Sequence, residues 1–289
     1  MTPAQARAAL QKAQREITAH NQKVKKAVAR YNQEVRAYNS SARAHNRQVE
    51  NQRQRLNQEI RRLNQRPAST TFVTYQASTA TLVQRYNTAE VNLTSNSASP
   101  AARRFVDLAG DEAANSVYLI NALNGDGDPA DDPTEDELRA PSLANELSAF
   151  GQDLVNRWAG ALFSLSPQNP DAARHFCTSA REVLITMLDS SAPDAEVKHA
   201  DPACEATDKG VPTRRAKINY LLRKHGVTDR DIVSLVDENV SNVLTLFRTF
   251  NNGTHGHAGR FTITELASIR TRVEAAISFI HQVVAAPTS

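Results

Sequence analysis

The stretch Thr262-Ile263-Thr264-Glu265-Leu266-Ala267-Ser268-Ile269 begins the segment that decides the fold of this chain. Thr262 followed three residues later by Glu265 is a capping box, in which two side chains satisfy free backbone N–H groups at a helix start. Apolar residues then recur every three or four positions, which predicts a helix with one buried face that runs to about Val284. They are Leu266, Ile269, Val273, Ala276, Ile277, Ile280 and Val283.

Apolar residues at helical spacing also fill the preceding sequence, back to residue 142. No alternating pattern is long enough to build a sheet, so residues 142–284 predict an antiparallel all-α bundle. Its connections are short apart from a long loop at 190–211. The four earlier helices of the bundle are expected over 142–165, 170–189, 212–225, where Pro212-Thr213 is the helix start, and 228–250.

A helical connector is predicted before the bundle. One helix covers about 72–93, and its inward positions are Val73, Leu82 and Tyr86. A second helix begins at Ser99-Pro100, because Ser is a good N-cap and Pro fits the first turn. It ends near Asn124-Gly125.

The N-terminal segment predicts a long coiled coil. Residues 5–66 contain no Pro or Gly, and semi-apolar residues recur at sums of three and four. Asn residues recur at steps of 7 and 11, which keeps the mean period close to that of a straight helix. The seam residues are Ile17, Val24, Val28, Tyr31, Val35, Tyr38, Ala42, Val49 and Leu56.

Charge divides the chain in the same place. Residues 1–66 carry 15 Lys+Arg against 4 Asp+Glu, and residues 67–289 carry 19 against 27, although the whole chain has a net charge of only +3. A basic arm on an acidic body indicates contact with nucleic acid or an acidic partner, and the alternative is a helix whose charges only keep it soluble. No apolar run approaches the roughly 20 residues that span a bilayer, and the N-terminus lacks a signal peptide's apolar core. We expect a cytoplasmic protein with no membrane contact.

No residue set has metal-ligand spacing. The acidic stretch 125–137 departs from a calcium loop, since the sixth position from Asp126 is not Gly and a Pro is inserted. The two cysteines, Cys177 and Cys204, match no zinc pattern with His255 and His257. We expect reduced thiols, no metal and no cofactor.

A fixed cation and a titratable base lie in Arg248-Thr249-Phe250-Asn251-Asn252-Gly253-Thr254-His255, a polar turn between the last two helices. Arg can hold a phosphate through two charge-assisted hydrogen bonds, and His exchanges protons near neutral pH. Structural roles remain open for both, because Arg248 also suits a helix C-terminus and His255 also suits a turn.

The spacing of Arg248 and His255, with six residues between them at the junction of the last two helices of an all-α bundle, resembles the motif of the HEPN superfamily. Members of that superfamily are mostly metal-independent endoribonucleases. The family usually has Asn, Asp or His after the Arg, where this chain has Thr249. Other stretches resemble uncharacterised prokaryotic abortive-infection proteins and predicted nucleases found beside Argonaute-like genes. They are Asn169-Pro170-Asp171-Ala172-Ala173-Arg174-His175, Arg181-Glu182 and Pro212-Thr213-Arg214-Arg215.

The resemblance implies an RNA endonuclease whose site forms across a dimer interface. His255 would act as base or acid and Arg248 would clamp the phosphate. From the residues themselves, supporting or phosphate-binding roles are expected for Asn251, Asn252, Thr254, His257, Arg174 and Arg181. The alternatives are turn formation for the first three and ion pairs with Asp or Glu inside the bundle for the two Arg residues.

We therefore expect three regions: a basic coiled-coil arm at 1–66, a helical connector with the acidic loop at 67–141, and a HEPN-like bundle at 142–289. The favoured function is a bacterial endoribonuclease that acts as effector or regulator in antiviral defence, an oligomer through the arm and the bundle, with a protein partner from a defence operon. The alternative is a non-catalytic coiled-coil adaptor of a defence complex, whose bundle serves only as a dimeriser.

Deleting residues 1–66 should abolish self-association, because the predicted seam would then be absent. Light scattering on the intact and shortened chains measures this directly. An unchanged number of subunits after the deletion would contradict a coiled-coil role for the arm.

Overall fold

The computed structural model describes residues 72–95, 99–126, 133–251 and 261–285 in full, and helical positions of the N-terminal segment at 15, 18, 20–37, 39–40, 43, 47, 50–51, 54–55 and 58. From residue 72 onward these residues form ten helices, and no strand occurs among them beyond one antiparallel bridge between Ala206 and Pro212. The all-α prediction is confirmed. No helix in this part of the chain is both long and apolar enough to cross a membrane.

The chain divides into two compact units, residues 1–51 and 52–289. Every described position of the first unit is helical, and each is exposed. Four apolar side chains of the predicted seam are 37% to 66% exposed: Val24, Val28, Tyr31 and Val35. A second copy packing on this stripe, and the division into regions at 66 and 141, stay predictions.

Ten helices make up the described part of the second unit. The first two are α1 (Val73–Ser95) and α2 (Pro100–Asn121), which continues into a wider turn at Ala122–Asp126. Then follow α3 (Glu135–Arg139), α4 (Ala144–Ser148), α5 (Gln152–Phe163), α6 (Ala172–Ser191) and α7 (Asp194–Ala200). The last three are α8 (Arg214–Lys224), α9 (Arg230–Asn251) and α10 (Ile263–Ala285).

Three predicted helix starts are confirmed by their caps. The Ser99 hydroxyl accepts a hydrogen bond from the Ala102 N–H at 3.2 Å, with Pro100 in the first turn. Thr213 caps α8 in the same way. At α10 the capping box is complete, since the Thr262 N–H donates to Glu265 at 2.7 Å and the Glu265 N–H donates back to the Thr262 hydroxyl at 3.2 Å.

The single helix predicted over 142–165 is wrong, because the chain breaks it into α4 and α5. Gly151 adopts φ 106°, a conformation that side chains rarely allow, and the helical path stops there. Leu143 likewise lies in the left-handed region at φ 58°, immediately before α4. The helical spacing of apolar residues continues across Gly151 because α4 and α5 each bury an apolar face.

Two smaller differences have local causes. The loop expected at 190–211 contains α7, whose acidic first turn and basic last turn complement the helix dipole. Val197 is the single apolar residue that α7 buries, so no periodic pattern revealed the helix. In α1, Val73 was expected to face inward but is 46% exposed, because the buried stripe instead runs through Tyr75, Leu82 and Tyr86.

The core continues from the connector helices into the bundle. Buried apolar residues from Tyr75 to Val283 form one cluster. Helix α9 packs most extensively on α1, and α10 packs on α2 and α6, whereas the consecutive helices α9 and α10 have little mutual contact. Where α1 and α2 meet, only a glycine fits at 110, because a Cβ there would lie 2.8 Å from the Tyr86 ring. Helices α1 and α2 therefore supply the surface on which the last two helices rest.

Five polar side chains from four helices meet inside this core, and we call them the polar cluster: Thr79, Glu112, Ser116, Asn242 and Arg272. Three Arg272 nitrogens donate hydrogen bonds, Nη1 to Glu112 Oε2 at 2.6 Å, Nε to Ser116 Oγ at 2.8 Å and Nη2 to Asn242 Oδ1 at 3.1 Å. Asn242 Nδ2 donates to Thr79 Oγ1 at 3.0 Å. The cluster thereby joins α1, α2, α9 and α10.

Both charges of the polar cluster are fully buried. Burial raises the pKa of the Glu112 carboxyl, and the adjacent Arg272 guanidinium opposes that rise. Burial alone would lower the pKa of Arg272, but the charges and hydrogen bonds of Glu112 and Tyr75 together outweigh it, so the pKa rises and the guanidinium stays protonated. Each charge is tolerated in the core because the other is beside it.

Replacing Arg272 with Met should destabilise the fold by about 3–5 kcal/mol, because Glu112 is left buried without its partner. The double substitution Arg272→Met with Glu112→Leu should recover much of that loss, since neither charge remains. Chemical denaturation of each variant gives the free energy of unfolding.

The matched control is Arg157→Met, which breaks an exposed ion pair with Asp153 and should cost at most about 1 kcal/mol. A double variant that is less stable than Arg272→Met would show that the buried pair does not set the penalty.

Candidate active site

Arg248 lies in the last turn of α9 with its side chain exposed. No hydrogen bond or ion pair of its side chain occurs within the described residues. It lies six residues beyond Asn242, about 9 Å further along the helix at 1.5 Å per residue. The polar cluster therefore fixes the helix that carries the predicted phosphate clamp, while the guanidinium itself remains accessible to an anion.

The neighbouring Thr249 has a structural role in this helix. Its hydroxyl donates a hydrogen bond to the Thr245 carbonyl at 2.8 Å, one turn earlier, and the side chain is half-buried. A hydroxyl bonded in this way to its own helix is not presented to a ligand. This accounts for a residue that differs from the Asn, Asp or His expected after the Arg.

An aromatic contact pins the two ends of the connection between α9 and α10. The rings of Phe250 and Phe261 meet edge to face with centroids 5.3 Å apart, and Phe72 lies 6.2 Å from Phe250 on the other side. Edge-to-face geometry is the favourable arrangement for such rings. The end of α9 and the start of α10 therefore lie close together, just beyond Arg248.

Four of the eight predicted site residues lie in this connection, outside the described residues. They are Asn252, Thr254, His255 and His257, and Asn251 is the last residue of α9. Their roles, and the pairing of Arg248 with His255, therefore stay predictions.

The other two predicted site residues are on α6. Arg174 forms an ion pair with Asp171, immediately before the helix, and its side chain is 39% exposed. Arg181 is exposed two turns later. Both remain available to solvent, and their contribution to phosphate binding stays a prediction.

Two cavities open on the described surface, and none of the predicted site residues described there lines either of them. One of about 580 Å³ follows α1 from Gln76 to Asn92 and reaches Val117. The other, of about 470 Å³, lies beside α8. No group of three or more His, Cys, Asp or Glu able to hold a metal ion occurs among the described residues.

Sequence reasoning missed the polar cluster, although one signal was visible. Arg272 falls between Ile269 and Val273 in the apolar stripe of α10, where a charge is out of place unless it is paired. Its partner Glu112 is 160 residues away in the sequence, so the pairing itself could not be read from the pattern.

Residues 147–280 match a protein family described as "Predicted pPIWI-associating nuclease". The matched segment covers α5 to α9 completely and most of α10, and it includes both Arg248 and His255. No curated protein and no solved structure matches the chain. The chain is thus similar, over just under half its length, to a family of predicted nucleases.

Replacing Phe250 and Phe261 with Ala, singly and together, should reveal a coupling of about 1 kcal/mol, because the two rings meet edge to face at the base of the connection. Phe250→Ala alone should cost about 3 kcal/mol, since this ring is buried. Free energies of unfolding complete the double-mutant cycle. Strictly additive losses would contradict a direct contact.

Proposed function

We propose that this protein is a metal-independent endoribonuclease that acts as an effector or regulator in prokaryotic antiviral defence. The observation that carries the proposal is the similarity of residues 147–280 to a predicted nuclease family. The matched segment contains the Arg248 and His255 spacing that resembles the HEPN motif. The partner implied by that family's description is a pPIWI protein, and we propose the same kind of partner here.

The proposed reaction uses the nucleophile that RNA carries. His255 removes the proton of a ribose 2′-hydroxyl, and the 2′-oxygen forms a bond to the adjacent phosphorus. The bond from phosphorus to the 5′-oxygen breaks, and a protonated His returns a proton to that oxygen. The products are a 2′,3′-cyclic phosphate and a 5′-hydroxyl end, with no redox change and no outside reactant.

The exposure of Arg248 supports the role of phosphate clamp in this mechanism. Its guanidinium is exposed at the end of a helix whose own core contacts are fixed. A guanidinium donates two parallel hydrogen bonds to the non-bridging oxygens of a phosphate, and it stabilises the charge that develops during attack. Arg248 would therefore hold the phosphate while His255 moves the proton.

A dimer would complete the site by supplying a second His for the second proton transfer. The arm offers the means of pairing, since Val24, Val28, Tyr31 and Val35 repeat at helical spacing and are exposed in the single chain.

The same exposed stripe favours a second candidate function. A long helix with an unburied apolar seam is also what an adaptor uses to join a partner protein. In that case the bundle would serve only as a dimeriser, and Arg248 would offset the dipole at the end of α9.

An RNA cleavage assay in EDTA separates the two functions. Arg248→Ala and His255→Ala should each reduce the rate about 100-fold or more, the usual contribution of acid–base and oxyanion groups. The controls are Arg157→Ala and His199→Ala, which remove an exposed Arg and an exposed His elsewhere on the surface and should leave the rate unchanged.

RNA cut equally by wild type and both site variants would remove the catalytic assignment. Absence of cleavage by the wild type, with its partner protein and a trigger present, would favour the adaptor.

A further inference from the structure

The cavity beside α8 brings four cationic side chains together. It is bounded by α7, α8, the segment between them and the start of α9, and has a volume of about 470 Å³. Its lining includes Arg215, Arg223, Lys224 and Arg230. Ligand sites in proteins usually enclose about 300–1,000 Å³, so this cavity is large enough for one nucleotide.

The positive charge of the cavity exceeds the acidic charge in its wall. Asp201 and Glu205 also line it, and Arg223 approaches Asp201 at 3.4 Å. Lys224 lies 3.7 Å from Glu196 and 4.4 Å from the centre of the Tyr220 ring. The cavity wall therefore has four cations and two carboxylates. Residues 67–289 as a whole have the opposite balance, with 19 Lys+Arg and 27 Asp+Glu.

Two of the lining cations, Arg215 and Arg230, have no carboxylate partner among the described residues. Arg215 Nη2 donates to the Ser234 hydroxyl at 2.8 Å, and that hydroxyl donates to the Arg230 carbonyl at 2.7 Å. The Arg215 side chain therefore reaches the first turn of α9, where Arg230 begins the helix. Neither guanidinium forms an ion pair within the described part of the chain.

Three nearby carboxylates are bonded to groups other than Arg215 and Arg230, two of them to neutral donors. Asp229 accepts the Asp231 N–H at 2.8 Å, and Asp231 accepts a hydrogen bond from Asn92 at 2.7 Å. The adjacent Arg214 already pairs with Asp237 at 2.8 Å. An anion in the cavity would meet two guanidinium groups that form no ion pair within the described residues, and its charge would interact favourably with both.

The lining also includes groups suited to a ring. Tyr220 supplies an aromatic side chain, and Val197 and Val233 are buried apolar residues. The Tyr220 hydroxyl donates to Glu196 at 2.5 Å, which fixes the ring in place. Cations beside a fixed aromatic surface are the combination that binds a phosphate together with its base.

We infer that this cavity binds a nucleoside phosphate, with Arg215 and Arg230 on the phosphate and Tyr220 against the base. We take this nucleoside phosphate to be part of an RNA strand, which rests on the proposed function. A free nucleotide would present the same phosphate and base. The cavity is separate from Arg248, so it binds the strand without taking part in its cleavage.

Cys204 provides a reporter inside the cavity. It is half-buried in the wall, whereas the other cysteine, Cys177, is fully buried and burial raises the pKa of its thiol, so it reacts slowly. A short 2′-O-methyl RNA with a 5′-phosphate should slow the reaction of Cys204 with N-ethylmaleimide. This RNA lacks the 2′-hydroxyl nucleophile, so the measurement does not depend on cleavage.

The double variant Arg215→Ala with Arg230→Ala should lose that protection and bind the RNA more weakly in fluorescence anisotropy. Its binding should also depend less on salt, with the logarithmic slope smaller by about 1.4, since each phosphate contact to a single strand contributes about 0.7. Arg157→Ala, which removes an exposed cation from α5, is the matched control and should leave affinity and slope unchanged. Both altered residues are exposed, and a thermal melt checks that the fold is retained.

Titration with uridine 5′-monophosphate separates the two sources. Protection of Cys204 by the mononucleotide as well as the RNA supports a free nucleotide, and protection by the RNA alone supports a strand. If neither slows the reaction of Cys204, or if the double variant binds RNA as the wild type does, the inference is overturned.

Failure of the proposed function would look different. Arg248→Ala and His255→Ala should keep Cys204 protection while losing cleavage, and the cavity variant should raise KM with kcat retained. A wild type that protects Cys204 yet never cuts RNA would remove the nuclease assignment and leave the cavity assignment standing.

Discussion

The buried pair of Arg272 and Glu112 is the constraint on which the rest of the structure depends. An isolated charge in a helical core is far more costly than the few kcal/mol by which a domain is stable, so the two side chains must meet whenever the protein is folded. Their meeting requires α10 to lie against α2 at one register. Asn242 and Thr79 extend the same hydrogen-bonded set to α9 and α1, so four helices are aligned by a single arrangement.

That constraint explains which parts of the fold were predictable from sequence. Local rules were sufficient where the determining residues are neighbours: the capping box at Thr262 and the N-caps at Ser99 and Thr213 give three helix starts correctly. Local rules failed at Gly151, where an apolar pattern continues across a backbone break. Local rules also did not predict the order of the helices in space, since α9 and α10 are consecutive yet pack mainly on other helices.

The candidate site shows the same division. Spacing in the sequence led to the prediction that Arg248 and His255 act as a pair, and this pairing stays a prediction. The structure adds that Arg248 is exposed at the end of α9 and that the Phe250 and Phe261 rings meet just beyond it. Thr249 is explained by a hydrogen bond to its own helix, which no motif comparison could reveal. The geometry of the pair could not be predicted, because the sequence of residues 252–260 lacks the periodicity by which helices are recognised.

Electrostatics connects the site to the two candidate functions. An RNA strand that approaches residues 67–289 meets more carboxylates than cations, so non-specific attraction would not retain it there. A nuclease with this negative net charge needs local clusters of cations that bind the strand despite the overall repulsion. An adaptor that binds only proteins does not need them. The cavity beside α8, which Arg215 and Arg230 line, is a cation site of this kind. Its presence on an acidic body therefore favours a surface that handles nucleic acid over one that only joins proteins.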